Sequence, residues 1–250
     1  QNTVMSIMQD HKGLIWLATW DGINKFDGYN FKTYKARQGN FISLTNNRVD
    51  FIKEDKYGYL WVLTYDNRAH RFDPSTETFE QVPSSGEGSN INIQSIEVMP
   101  QGSVWLLTEN DGAIRATTDE KTHELSTEIY SLKSGLFPCQ KVIKACADKS
   151  GNEWLLTDNG LALIKPDSNI PVSYFVETKE TGSDRKQYFY SFQEHGNEIF
   201  FGSDKGRLWR YQKDGSRFQL LELPVKANII EINTLSKDEI VATTRTEGFY

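Results

Sequence analysis

Cysteine is scarce in this sequence and long apolar runs are missing. No segment approaches the ~18 consecutive apolar residues of a membrane-spanning helix, and the start, Gln1-Asn2-Thr3, has neither a basic nor an apolar leader region. We therefore expect any signal or membrane anchor to lie outside this region. The two cysteines, Cys139 and Cys146, lie seven positions apart in or near one predicted strand. An extended run of that length spans ~23 Å, far beyond the ~4.4–6.8 Å between Cα atoms that a disulfide allows, so we predict two free thiols.

Other absences exclude classes of function. The 28 Lys and Arg residues are scattered among 34 Asp and Glu, and the net charge is −6, so we expect no nucleic-acid contacts by this region. The glycines are isolated turn residues and form no phosphate-binding loop. No pair among the four histidines has the short spacing of a zinc site; they are His11, His70, His123 and His195. No Ser or Cys is placed with His and a carboxylate, so we expect no catalytic residues, no metal and no cofactor.

Aromatic residues are abundant and mark an internal repeat. The 14 Phe, 11 Tyr and 6 Trp favour a β-rich fold. Four segments align on a tryptophan at spacings of 45, 44 and 49 residues: Asp10-His-Lys-Gly13-Leu-Ile-Trp16, Asp55-Lys-Tyr-Gly58-Tyr-Leu-Trp61, Met99-Pro-Gln-Gly102-Ser-Val-Trp105 and Asp148-Lys-Ser-Gly151-Asn-Glu-Trp154. Two weaker copies follow, in which we align Ile199 and Ile240 with the tryptophan.

Each copy predicts four short strands, A to D. An apolar strand A precedes an Asp-x-x-Gly segment, which is typical of a type I turn, and a dense apolar strand B follows and ends in Thr. A second turn of the type Asp-Gly or Asn-Gly leads to strand C, and a further polar turn leads to strand D. In the second copy Asn67 takes the glycine position. We expect the repeated Trp side chains to pack between neighbouring blades and not to bind ligand.

Four antiparallel strands per ~45 residues, without helical periodicity, predict an all-β protein of the β-propeller type. We count about six four-stranded blades, the last one incomplete, and place Tyr250 near the end of its strand C. The approximate repeats are 1–45, 46–88, 89–136, 137–184, 185–226 and 227–250, which we interpret as one complete or incomplete propeller domain over 1–250.

The combination of strand A, the Asp-x-x-Gly turn, the Trp-led strand B ending in Thr and the Gly-initiated strand C resembles the two-component regulator propeller repeat. The resemblance implies a seven-bladed ring in the extracytoplasmic sensor of hybrid two-component systems of Bacteroidetes, which detect oligosaccharides. It also implies a periplasmic location, membrane tethering through the parent chain, homodimerisation, and a histidine kinase and transcription regulator elsewhere in that chain. Met99 and the last two copies depart from the pattern.

Propeller ligands are usually bound by the face where the B–C and D–A connections meet, so we predict the ligand site there. Trp20 and Tyr65 occupy equivalent positions of adjacent copies, and their rings suit the apolar side of a pyranose. The full set of predicted ligand-binding residues is Trp20, Asp21, Asn47, Arg48, Tyr65, Asn67 and Asn110. Asn90 and Arg185 belong to the same connections. The alternative is that these residues only form turns and cover blade edges.

Two other functions remain open at this point. The fold also serves propeller lyases and hydrolases, whose site would place a His beside two carboxylates on the axial face. It also serves protein-interaction scaffolds, which would show a contiguous apolar patch on one face.

Overall fold

A computed structural model describes residues 3–37, 39, 42–82, 91–133, 139–166, 168–174, 187–237 and 239–250. These residues form 22 strands and one short 3-10 turn, Lys213–Gly215. No helix in this part of the chain is long and apolar enough to cross a membrane. The predicted all-β class is confirmed.

The strands form six antiparallel sheets in chain order, which we call blades 1 to 6. Blade 1 contains β1 (Val4–Gln9), β2 (Ile15–Thr19), β3 (Gly22–Phe26) and β4 (Phe31–Tyr34). Blade 2 contains β5 (Val49–Glu54), β6 (Leu60–Thr64), β7 (Ala69–Asp73) and β8 (Thr78–Gln81). Blade 3 contains β9 (Ile93–Val98), β10 (Val104–Thr108), β11 (Ala113–Thr118) and β12 (Leu125–Tyr130).

Blade 4 contains β13 (Val142–Ala147), β14 (Glu153–Thr157), β15 (Gly160–Ile164) and β16 (Val172–Tyr174). Blade 5 contains β17 (Phe189–His195), β18 (Glu198–Ser203), β19 (Arg207–Gln212) and β20 (Arg217–Glu222). Blade 6 has two strands, β21 (Ile229–Thr234) and β22 (Ile240–Thr244), and Phe249 forms a bridge to Thr243. Tyr250 pairs with Ala242 and therefore lies in the middle of the strand C position, as Asn24 does in blade 1, and not near its end as predicted.

The chain divides into two compact units, Gln1–Ile129 and Tyr130–Tyr250. In the first unit, Trp16 packs on blade 2, with its ring centroid 5.6 Å from that of Phe72. In the second, Trp154 packs on blade 5, 5.0 Å from Phe201. Strand B is buried along its whole length in blades 2, 3 and 4 because both faces of the blade are covered. The predicted packing of these tryptophans between blades is thus confirmed.

The alignment of Ile199 and Ile240 with the tryptophan is wrong by one residue. Counting back from the Thr or Ser that ends strand B, the tryptophan position is Phe200 in blade 5 and Val241 in blade 6. Phe200 packs on blade 6, as Trp154 packs on blade 5. For Ile199 the cause is a shorter A–B turn in blade 5, where His195 pairs directly with Glu198. One residue of slip moves a side chain to the opposite face of a sheet.

The Asp-x-x-Gly segment has a second structural role. The Asp10 carboxylate accepts hydrogen bonds from the backbone N–H groups of Lys12 and Leu14, both at 2.9 Å, and from the buried indole N–H of Trp16 at 2.8 Å. Asp55 and Asp148 bind Trp61 and Trp154 in the same way. Each of these aspartates is buried, so it satisfies both the turn and the core tryptophan.

Candidate functional site

The candidate site is built on a feature that recurs in all six blades. Strand A pairs with the end of strand B through a register shift at its second residue, which is a β-bulge. A bulge turns a side chain out of the regular alternation. We therefore name three positions per blade: the entry position before strand A, the bulge position, and the exit position after strand B.

These positions lie together because the backbone joins them. In five blades the N–H of the exit residue donates to the carbonyl of the entry residue at 3.0–3.2 Å, as from Tyr65 to Arg48 and from Asp204 to Tyr188. The turn glycine after strand B is also joined to the next blade: Gly22 donates to the carbonyl of Asn47 at 2.7 Å. Within each unit, the entry residue of one blade consequently lies beside the exit residue of the blade before it.

In blades 1 and 2 this arrangement assembles an aromatic and basic cluster. The guanidinium carbon of Arg48, the entry residue of blade 2, lies 4.0 Å from the ring centroid of Tyr65 and 5.3 Å from that of Trp20. Tyr65 and Trp20 are exit residues and are 57% and 46% exposed. Such cation–π contacts contribute ~0.5–1 kcal/mol each at exposed sites, so Arg48 holds the two rings in place.

The two bulge residues complete the cluster. Asp50 accepts a hydrogen bond from Nε of Arg48 at 3.0 Å and fixes the plane of the guanidinium. Met5 accepts a hydrogen bond at its Sδ from Nε1 of Trp20 at 3.2 Å. In addition, the Asn46 side chain accepts a hydrogen bond from the backbone N–H of Arg48 at 2.9 Å. The rings and the guanidinium are thus pre-positioned, which lowers the entropic cost of binding.

Three of the predicted site residues form connections between the loops. Asn47 accepts the N–H of Ala36 at its side-chain oxygen, at 2.8 Å, in addition to the Gly22 bond at its carbonyl. Asn67 has a φ of 58° and receives a hydrogen bond from the N–H of Ile93 at its carbonyl. Asp21 forms an ion pair with Lys35 at 2.6 Å. Their part in ligand binding stays a prediction.

Asn110 lies in the B–C turn of blade 3 and is exposed, and no described contact brings it to Trp20, Arg48 or Tyr65. Asn90 and Arg185 lie outside the described residues. Met5 and Asp50 were not among the residues predicted from the sequence. The signal that could have found the bulges is a spacing of three between buried residues of strand A, as in Val49 and Ile52 or Val142 and Ala145, where a regular strand has two.

A buried histidine, His70, lies in strand β7 just after the B–C turn of blade 2. Nε2 of His70 is 3.0 Å from Oγ1 of Thr45, which is also 3.3 Å from Oδ1 of Asp66. Burial lowers the pKa of His70 to about 4, against a weaker opposite effect of Asp66, so the ring is neutral at pH 7. The described residues contain no group of three or more His, Cys, Asp or Glu side chains that could share a metal ion.

The arrangement of the strands defines the class of protein to which this chain belongs. Antiparallel sheets in A–B–C–D order, repeated with one tryptophan position and one bulge, are the blades of a β-propeller. The sequence adds a match to a known repeat. The model of the two-component regulator propeller matches residues 1–21 and 43–66, so the resemblance inferred from the motifs is confirmed for these two segments.

Similar proteins agree with this assignment. The chain is 42% identical over 45 residues, 18% of its length, to Histidine kinase P4 of Formosa agariphila, of which it covers 3%. The extracellular domain of the putative hybrid two-component system BT3049 of B. thetaiotaomicron superposes with a TM-score of 0.61 and 22% identity. That of the putative one-component system BT4673 gives 0.61 and 19%. The chain aligns over its full length with both domains and spans about a third of each, 33% and 32%. At this identity the likeness shows the fold.

Proposed function

We propose that this chain is part of the ligand-sensing, extracytoplasmic propeller of a hybrid two-component sensor, and that it recognises an oligosaccharide. The observation that carries the proposal is the cluster of Trp20, Arg48 and Tyr65, pre-positioned on the face where the B–C and D–A connections meet. The matching propeller family and the histidine kinase relative support the signalling role. The region binds and does not catalyse. Its place is the periplasm, tethered to the membrane by the parent chain.

The cluster suits a sugar for chemical reasons. Trp20 and Tyr65 remain about half exposed beside Arg48, and their rings suit the apolar C–H face of a pyranose. Arg48 donates hydrogen bonds only, so its Nη groups complement the hydroxyl and ring oxygens of a sugar while Nε is held by Asp50. Binding favours one arrangement of the receptor, which dimerises through the parent chain and passes the signal to the kinase and the transcription regulator.

Calorimetric titration of the protein with soluble hexasaccharides tests the proposal. The probes are maltohexaose, cellohexaose, xylohexaose and a hexamer of galacturonate, which differ in linkage and charge. We expect one of them to bind and Trp20→Ala, Tyr65→Ala and Arg48→Ala each to weaken it at least tenfold, which corresponds to about 1.4 kcal/mol. Arg48→Lys keeps the charge without the planar fork and should lose most of the affinity too.

The matched control is Tyr29→Ala. Among the large apolar and aromatic side chains that the structure describes, Tyr29 is the most exposed, at 92%, but it lies in the C–D turn, at the opposite end of the strands. Its loss should leave the affinity unchanged. Absence of binding to any probe, or equal weakening by Tyr29→Ala and Trp20→Ala, would contradict the proposed site.

A further inference from the structure

The second unit places aromatic side chains at two of the same positions in blade 5. Tyr188 is the entry residue and Tyr190 the bulge residue, and their rings are parallel within 8° with centroids 6.3 Å apart. Both side chains are partly exposed. Within the described part of the chain, no hydrogen bond from either hydroxyl is found. The two rings are stacked on each other and present a partly exposed aromatic surface together with their hydroxyl groups.

Charged groups border this surface. Asp204, the exit residue of blade 5, donates its N–H to the carbonyl of Tyr188 at 3.2 Å, and its carboxylate lies 3.7 Å from Nη1 of Arg207. Arg245, the exit residue of blade 6, is exposed. Burial, then Asp204 and Tyr188, raises the pKa of Tyr190, while Arg245 lowers it. Tyr190 thus stays a neutral hydroxyl that can donate, and the charges of Asp204 and Arg245 both act on it.

The other blades of the second unit lack this combination. Blade 4 has Lys141, Ile143 and Asp158 at the three positions, and blade 6 has Asn228, Ile230 and Arg245. The β-bulge turns the Tyr190 side chain out of the regular alternation of the strand. The core of the blade therefore does not require an aromatic residue at this position. Packing alone explains the repeated tryptophans, but it does not explain this pair.

We infer that Tyr188 and Tyr190, with Asp204 and Arg245, form a second pyranose-binding subsite in the second unit. An exposed ring of the stacked pair packs on the C–H face of the sugar, the Asp204 carboxylate accepts from a hydroxyl, and Arg245 donates to an oxygen. The inference rests on the proposed function for its ligand class, but its residues are separate from those of the blade 1 and 2 cluster.

Calorimetric stoichiometry with the same four hexasaccharides tests the subsite. We expect two sites per chain for the binding probe. The double variant Tyr188→Ala/Tyr190→Ala should reduce the number to one, whereas Trp20→Ala should remove the other site. The control Tyr188→Phe/Tyr190→Phe keeps the rings, so it should still bind at two sites, with lower affinity at one.

The outcomes separate the two ideas. A single site that is lost in Trp20→Ala and unaffected by the tyrosine variants overturns the subsite and leaves the proposed function standing. A single site that is lost in the double tyrosine variant and unaffected by Trp20→Ala supports the subsite and overturns the cluster of blades 1 and 2. No heat with any of the four probes contradicts both.

Discussion

Replacement of Asp55 by alanine removes the acceptor of three hydrogen bonds in blade 2. Its carboxylate binds the backbone N–H groups of Tyr57 and Tyr59 at 2.9 and 3.0 Å and the indole N–H of Trp61 at 2.8 Å. Trp61 is 1% exposed, so its N–H has no access to water after the change. A buried unsatisfied donor costs about 1–3 kcal/mol, and each of the partly buried backbone bonds contributes about 0.5–1.5 kcal/mol.

Burial of the charged Asp55 carboxylate also costs free energy in the wild-type protein. This cost raises the pKa of Asp55, and the hydrogen bonds from Trp61, Tyr57 and Tyr59 lower the pKa in part. We therefore expect Asp55→Ala to destabilise the protein by a net ~2–4 kcal/mol. For a chain of this size that lowers the melting temperature by roughly 4–16 °C, measured by near-ultraviolet circular dichroism. The control Asp27→Ala removes the same kind of turn, with bonds to Tyr29 and Asn30, from a fully exposed position, and should leave the melting temperature nearly unchanged.

A double-mutant cycle tests the reason for the loss. Trp61→Phe keeps most of the ring in the core but removes the N–H, so Asp55→Ala should cost ~1–3 kcal/mol less in that background than in the wild type. If Asp55→Ala costs the same in both backgrounds, or less than ~0.5 kcal/mol in the wild type, the bond between aspartate and tryptophan does not stabilise the blade as argued here.

Three further predictions concern stability and reactivity. The pKa of His70 is about 4 in the folded protein and about 6.5 in the unfolded chain, so the unfolded chain binds a proton first as the pH falls. The free energy of unfolding should therefore be constant above about pH 6.5 and fall by up to ~3 kcal/mol towards pH 4. Urea titrations should show this slope, and His70→Gln should flatten it. Burial raises the pKa of Cys139 to about 12. A thiol reagent at pH 8 should therefore leave Cys139 unlabelled in the native protein and label it in urea. Labelling of Cys139 in the native protein would refute its burial. A Cβ atom at Gly22 would lie 2.2 Å from the Tyr34 carbonyl oxygen, whereas Gly28 has a similar φ and open space around it. Gly22→Ala should therefore lower the melting temperature more than Gly28→Ala. Equal shifts would show that only the positive φ matters.

The repeat could be predicted because its signals are local. The turn residues and the apolar strands identify the four strands of a blade, and the positions of Trp20 and Tyr65 relative to them identify equivalent sites. The two cysteines, predicted to be free, carry no disulfide, and Cys139 is buried. The hydrogen bond from the indole to the aspartate six residues earlier was not predicted, since the turn alone already explains an aspartate there.

Register and side-chain direction were harder to predict. Ile199 was misplaced because the A–B turn of blade 5 is short, and only the pairing of Phe189 with Ser203 shows that Phe200 has the tryptophan position. The approach of Arg48 to the two rings depends on the β-bulge and on hydrogen bonds between connections far apart in sequence. Such contacts leave no local pattern, although the spacing of three buried residues in strand A indicates the bulge itself.

The central claim is that an oligosaccharide binds at Trp20, Arg48 and Tyr65. All six tryptophans are described, and Trp20 is 46% exposed while Trp16, Trp61, Trp105, Trp154 and Trp209 are buried. A ¹H–¹⁵N spectrum of the indole N–H groups therefore contains one signal from the site, assigned with Trp20→Phe. Titration with the binding hexasaccharide should shift this signal in a saturable manner and leave the five buried indoles in place. Saturable shifts of buried indoles with an unchanged Trp20 signal would contradict the account.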